Sequence, residues 1–292
     1  LKQRKVSKSL VNQKVREYTR HDPQRSGLFR LYREFFAIQR KYLAWVVISG
    51  PELDELQIKA RVEEGIPLIE RDRVQIDYEL FFHIYEELRE ILLKRSEAIS
   101  ERNMALFHGR VLQAEDISEL GEAFVRGEEE ILLRKAGELE VDFNVLHLLL
   151  HTTLAVFFQK MAEMYYKKAD LDQVPSGTCP VCGGIPIMGF NRDGDGLRVL
   201  ECSLCGTRWG APRMMCLFCG NVEQNELGYF FVEGERQRRV YTCEKCKRYI
   251  KITDRYGEPG EIILPLEDLF TTYLDRLAQD RGYVRACNSV FS

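Results

Sequence analysis

A chain of 292 residues, 45% hydrophobic and 30% charged, has the make-up of a globular protein with a sizeable core and room for two domains. Its net charge of -3 excludes a global electrostatic drive toward nucleic acid or anionic membrane. Nine cysteines, with no secretory signal ahead of them, predict a cytoplasmic protein whose thiolates bind metal rather than form disulfides.

Residues 1–30 carry nine Lys and Arg against Glu17 and Asp22, and read as a solvated, partly ordered arm. From Leu28 the apolar residues Leu31, Phe35, Ile38, Tyr42 and Val46 recur at three- and four-residue spacing, which predicts a helix that Gly50-Pro51 ends. A shorter helix follows over Leu53 to Val62, closed by Gly65-Ile-Pro67. Asp77 is placed to cap a long helix through Leu80, Ile84, Leu88 and Leu92. Asp116 with Glu119 has capping-box spacing, and Gly127 and Gly137 punctuate two further short helices. Asp142 opens the most apolar helix, Val145 to Met164, placed at the centre of the helical domain because it is apolar on more than one face. Its Val145–Phe158 core is too short and too polar to span a bilayer. His147 and His151 lie at i, i+4 within it without the acidic neighbour of a zinc-protease motif, and read as satisfied helix histidines. Lys167 and Lys168 suit that helix's C-terminal dipole. The helical pattern stops at Leu171–Gly177, where Pro and Gly arrive together.

Eight cysteines then arrive as four pairs: Cys179 and Cys182, Cys202 and Cys205, Cys216 and Cys219, Cys243 and Cys246. A Cys-x-x-Cys pair can close on one soft metal ion, and two pairs complete a tetrahedral four-thiolate shell. Period-two alternation flanks a Gly-Asp-rich tip between the first two pairs, at Ile185–Phe190 and Leu197–Leu200. Between the last two it recurs at Leu227–Val232 and Arg238–Tyr241, around Glu233-Gly-Glu235. Each stretch predicts a β-hairpin that brings its own two knuckles side by side. The pairing is therefore sequential. Cys179, Cys182, Cys202 and Cys205 form one site, and Cys216, Cys219, Cys243 and Cys246 the other. Gly183, Gly206 and Gly220 follow three of the pairs, where a knuckle needs φ > 0; Lys247 stands at the fourth. Shells filled by protein sulfur leave no position for water or substrate, so the expectation is no catalytic site. Two ions, iron or zinc, would staple the ribbons or, if iron, carry an electron.

Other motifs carry less. Asp193-Gly-Asp195-Gly196 begins like a calcium loop but Leu204 stands where the closing acid belongs, so it reads as a hairpin tip. Aromatics among arginines in the ribbons suit single-stranded nucleic acid, but five interspersed glutamates weaken the field, and nucleic acid is not the expected partner. Cys287 has no partner at ligand spacing. Leu266 to Gln279 predicts one C-terminal helix.

The order of these features resembles the formate dehydrogenase accessory protein (FdhE) family. The resemblance rests on Cys179-Pro-Val-Cys-Gly183, on Gly196 to Trp209, on Arg213-Met-Met-Cys-Leu-Phe-Cys-Gly220, on Cys243 and Cys246, and on Leu266-Glu-Asp-Leu269, Leu274-Asp-Arg-Leu277, Gly282-Tyr283 and Asn288. It implies a non-catalytic maturation factor that binds the catalytic subunit of formate dehydrogenase in the cytoplasm and holds iron in its cysteine modules. Arg208 and Gly210 flank Trp209 where the family often has an acid and a His, so no role of that His carries over. The expected architecture is α+β. It comprises a helical domain at 1–172, four-Cys ribbons at 177–212 and 213–256, and a segment with one helix at 257–292. A zinc-ribbon nucleic-acid-binding protein and a rubredoxin-like electron carrier are the alternatives.

Overall fold

The computed structural model describes residues 6–48, 53–95, 112–254 and 261–287; the predicted break at Gly50-Pro51 and the family-like Asn288 lie outside them. The helical part contains α1 (Lys8–His21), α2 (Ser26–Leu43), α3 (Glu55–Glu64), α4 (Tyr78–Lys94), α5 (Ala114–Arg126), α6 (Glu129–Glu138) and α7 (Phe143–Ala162). Asp77 and Asp142 cap α4 and α7, accepting from the N–H of Leu80 and Val145 at 3.0 Å. Asp116 sits one turn later than capping-box spacing suggested. It lies inside α5 and its carboxylate accepts from the Gln113 N–H at 3.2 Å.

The basic arm is not a solvated terminus from Lys8 onward. α1 lays Val11, Val15 and Tyr18 against Phe29, Leu266 and Leu269 in a core cluster of its own, and the Tyr18 ring stacks on Phe270 at 4.3 Å. Basic residues occupy only its outer face, so the charge count concealed an amphipathic stripe.

α7 is the central helix. Leu149, Leu154, Val156 and Phe158 are fully buried, and the Thr152 and Thr153 hydroxyls donate to the carbonyls one turn back at 2.7 Å. At 20 residues it is longer than the apolar core that the sequence suggested, and it is long and apolar enough to cross a membrane. Its apolar window is 78% buried inside the protein, and that burial accounts for its composition.

The cysteine region forms one sheet. β1 (Pro186–Asn191) and β2 (Arg198–Cys202) are the first predicted hairpin, and β4 (Leu227–Phe231) and β5 (Arg238–Cys243) the second. Each ribbon gains a third strand that the hairpin reading lacked, β3 (Arg208–Ala211) and β6 (Arg248–Asp254), on the far side of its second knuckle. The order is β3-β2-β1-β6-β5-β4. Parallel pairing of Gly189–Asn191 with Ile252–Asp254 joins the ribbons head to tail.

The segment read as one C-terminal helix is two, α8 (Leu264–Phe270) and α9 (Thr272–Asp280), followed by β7 (Val284–Arg285) on β6. The break falls at Thr271, whose hydroxyl donates to the Glu267 carbonyl at 2.8 Å. There the carbonyls of Asp268 and Thr271 also accept from the buried Lys251 ammonium.

Two glycines let backbones touch. A Cβ on Gly210 would lie 2.0 Å from the Asp172 carbonyl oxygen, and one on Gly177 would lie 1.6 Å from that of Leu217. The first closeness lets Leu171 and Val174 hydrogen-bond to Gly210 along the outer edge of β3. The second seats the third knuckle on the segment that enters the first ribbon. Neither contact can yield as a flexible side chain would. Gly210→Ala and Gly177→Ala are each expected to cost about 3 kcal/mol, the upper part of the overpacking range. Urea unfolding checks this, with Gly137→Ala as the comparison: it lies in open space inside α6 and is expected to stabilise by up to about 1 kcal/mol.

Candidate metal centres

The four knuckles share one local geometry. The N–H groups of Gly183, Gly206, Gly220 and Lys247 turn back to the carbonyls of Cys179, Cys202, Cys216 and Cys243 at 2.8–3.2 Å. All four turning residues have positive φ, 68 to 70° for the glycines and 54° for Lys247. The hairpins then bring the knuckles together in the sequential pairing, and two tetrads result, each with its sulfurs within 4.8 Å of one another.

The distances fit metal coordination. Four sulfurs held about 2.3 Å from a central ion at tetrahedral angles lie about 3.8 Å apart. In the first tetrad Cys179 Sγ is 3.6 Å from Cys205 Sγ, and Cys182 Sγ is 3.5 Å from Cys202 Sγ. The second gives 3.6 Å for Cys216 with Cys246 and 3.8 Å for Cys219 with Cys243. Burial pushes the Cys179 and Cys202 thiols well above the ordinary thiol range, whereas hydrogen bonds from the other three cysteines hold Cys182 well below it. Holding that tetrad as thiolates therefore calls for a cation among them. Both tetrads fit one four-coordinate ion each, and the donor set suits iron or zinc alike.

The first tetrad lies inside the molecule. Its cysteines join the largest core cluster, which runs from Leu31 in α2 to Ile252 in β6. The backbone of residues 68–69 pairs with the first knuckle, Leu68 N–H to Pro180 O at 3.0 Å and Ile69 N–H to Val181 O at 2.7 Å. Arg71 Nε donates to Cys182 O at 2.9 Å. Gly184 allows this closeness, since a Cβ there would sit 2.8 Å from Cys202 Sγ. Arg71 lies far from the cysteines in sequence, and no local spacing could have linked it to them.

The second tetrad is flanked by cations. Arg198 on β2 is buried, and its Nε and Nη2 make no hydrogen bond among the described residues. Its guanidinium stacks on Tyr241 at 4.4 Å. With Arg213 and Arg248 it lines a cavity of about 40 Å³ beside Cys216 and Cys243. A divalent ion in four thiolates keeps net negative charge, which these cations match. Burial raises the Cys243 thiol, but N–H groups of Cys246 and Lys245 and the Cys216 and Asn221 side chains outweigh it and bring it down to about 7.

The histidines are not part of either tetrad. His147 and His151 stack with centroids 6.1 Å apart and pack on Phe124. They line a groove beside Gly183 and Gly184. Burial lowers both, His151 to about 3, so the rings are neutral at physiological pH. Cys287 is buried near the same groove and outside both tetrads.

The family described as "FdhE, central domain" matches residues 178–213, the first ribbon with both its knuckles. The "Protein FdhE homolog" of Aquifex aeolicus (strain VF5) is 28% identical over 236 residues, 80% of this chain and 77% of that protein. The chain is homologous to the FdhE proteins. "Protein FdhE" of Escherichia coli O1:K1 / APEC is 30% identical over 142 residues, 47% of this chain. The chain spans about half the length of that relative, 45%. The crystal structure of the FdhE protein from Pseudomonas aeruginosa superposes with a TM-score of 0.66 at 21% identity, over 99% of this chain and 97% of that one. This likeness establishes that the whole fold, helices and joined ribbons together, is the one seen in that FdhE protein.

Proposed function

We propose that this protein is a non-catalytic maturation factor for formate dehydrogenase that binds the enzyme's catalytic subunit during assembly in the cytoplasm. The observation that carries the reading is the similarity to FdhE proteins over four fifths of the chain, 80% for the Aquifex relative. The two tetrads support the non-catalytic part, because a metal ion in either would have all four positions taken by cysteine sulfur. Cys179, Cys182, Cys202 and Cys205 are the ligands of the first ion, and Cys216, Cys219, Cys243 and Cys246 those of the second. Met214, Val222 and Tyr229 on the second ribbon are 61, 59 and 55% exposed, and supply apolar side chains for a protein partner.

Affinity purification of the tagged full chain from cells that make the enzyme tests this. The catalytic subunit is expected to co-purify, and deletion of the factor to lower formate dehydrogenase activity while the subunit polypeptide persists. Absence of the subunit from both oxidised and reduced preparations, with unchanged enzyme activity in the deletion, would sink the reading. Electron carriage by iron is a second reading, favoured by the exposure of Cys219; it requires a reversible one-electron couple between ferric and ferrous iron.

A further inference from the structure

The two tetrads share donors and spacing but differ in their surroundings. Cys179, Cys182, Cys202 and Cys205 are 0, 1, 2 and 0% exposed, with α7, the 68–71 segment and the first ribbon packed around them. In the second tetrad Cys219 is exposed and Cys246 half-buried, whereas Cys216 and Cys243 are buried. The ion there would meet solvent on one side.

A closed four-thiolate shell gives up its ion through partial detachment, one sulfur leaving while an incoming ligand takes its place. A sulfur that detaches at Cys219 turns into water, where its charge is hydrated. One that detaches in the first tetrad carries its charge into an apolar core, where burial of an unpaired ion is heavily disfavoured. In the first tetrad Cys202 borders a cavity against α2 and α7 but is only 2% exposed, so an incoming chelator reaches it far less readily than Cys219, which already faces solvent. On the inner side of the second tetrad the buried Arg198 stays beside Cys216 and Cys243, with the exposed Arg213 and Arg248 lining the same cavity. They hold compensating charge there while the ion is away, so the site can reload.

We propose that the second tetrad is a labile, reloadable metal site that exchanges its ion through Cys219, while the first holds its ion for as long as the chain is folded. The inference rests on the reading that both tetrads bind metal. The first ion is then a permanent part of the fold. The second is the one whose occupancy follows the supply of metal around the protein.

The test uses the full chain loaded with zinc and desalted. Metal content is measured first, then release to excess 4-(2-pyridylazo)resorcinol is followed by absorbance. Two equivalents at the start are expected, one leaving at least tenfold faster than the other. Cys219→Ser should remove the fast phase and keep the slow one. Brief iodoacetamide treatment gives a second readout on the unsubstituted protein. The thiolate sulfur displaces iodide and forms a thioether, which peptide mass spectrometry should find at Cys219 ahead of every cysteine of the first tetrad. Fewer than two equivalents before chelator is added would overturn the metal reading itself. Two equivalents released with one rate constant, or earlier alkylation in the first tetrad, would overturn the inference alone.

Discussion

Replacing Cys202 by serine is expected to cost this protein its main cooperative unfolding transition, whereas Cys243→Ser should leave that transition in place. Cys202 belongs to the largest core cluster, together with Leu149, Phe158 and Trp209. Its tetrad ties the first ribbon to the helical part through residues 68–71. A structural zinc ion contributes roughly 10–16 kcal/mol to the folding of small zinc-finger peptides. Even half of that rivals the stability of a whole domain, about 5–15 kcal/mol. Cys243 belongs to the tetrad that reaches the surface at Cys219, in a ribbon tied to the rest through β1–β6 pairing and through Lys251. Calorimetry with metal analysis checks the contrast. Each variant should bind one ion where the parent binds two, but only Cys202→Ser should lose the main transition. If Cys243→Ser also emptied the first tetrad, the independence of the two sites would be wrong.

The second large effect is expected far from the cysteines, where the C-terminal helices meet β6. Lys251 is 2% exposed, and its ammonium lies 2.8 Å from Asp268 Oδ1 and 2.6 Å from Asp275 Oδ2. Arg285 on β7 pairs with the same two carboxylates, and the Tyr249 hydroxyl donates to Asp275 at 2.8 Å. Two cations and two anions close a buried quartet. Asp275→Ala would leave Lys251 and Arg285 sharing one carboxylate, and breaking such a buried set costs about 3–5 kcal/mol. The exposed pair Lys94–Glu90 is the comparison, with Lys94→Ala expected within about 0.5 kcal/mol of the parent. Urea midpoints measure both.

The quartet also sets a pH dependence. Burial alone would push Asp268 up, but the Arg285 and Lys251 charges outweigh it and hold the carboxyl below its ordinary range. The folded state therefore binds this proton less readily than the unfolded chain. The contribution is fully present above the ordinary carboxylate value of about 3.9 and is lost as pH falls through the depressed one. Asp268→Asn should accordingly flatten that part of the acid limb in a plot of urea midpoint against pH. An unchanged limb would remove Asp268 from the account.

Much of the cysteine architecture is legible in the sequence because its determinants are local. Two-residue gaps between cysteines, glycines at positive-φ positions and period-two alternation between knuckles all act within a few residues. Together they are enough to place both hairpins and the sequential tetrads. What escapes is decided over long range or disguised by polar residues. The third strands β3 and β6 are short or carry a buried lysine, so Arg208-Trp-Gly-Ala211 and Arg248-Tyr-Ile-Lys-Ile-Thr-Asp254 lack a clean alternating signal. Parallel pairing of β1 with β6 leaves no trace in either strand alone. α1 looks like a charged tail until Tyr18 and Val15 find Leu266 and Phe270.

The break at Thr271 follows the same logic. Leu266, Leu269, Tyr273 and Leu277 keep helical spacing across it, so periodicity sees one helix. At the interruption Lys251, remote in sequence, donates to the carbonyls of Asp268 and Thr271 and to the Asp275 carboxylate. Arg71 and Arg198 are likewise placed beside the tetrads by tertiary packing, and no spacing along the chain announces them.

The central claim is that this chain holds two separate ions, each in four cysteine sulfurs. X-ray absorption at the metal edge, with metal quantitation on protein purified anaerobically from its native source, tests it most directly. The account predicts two metal atoms per chain, each surrounded by four sulfurs at about 2.3 Å with no nitrogen or oxygen ligand. One metal atom per chain, a mixed first shell, or disulfides within the Cys-x-x-Cys pairs would contradict it.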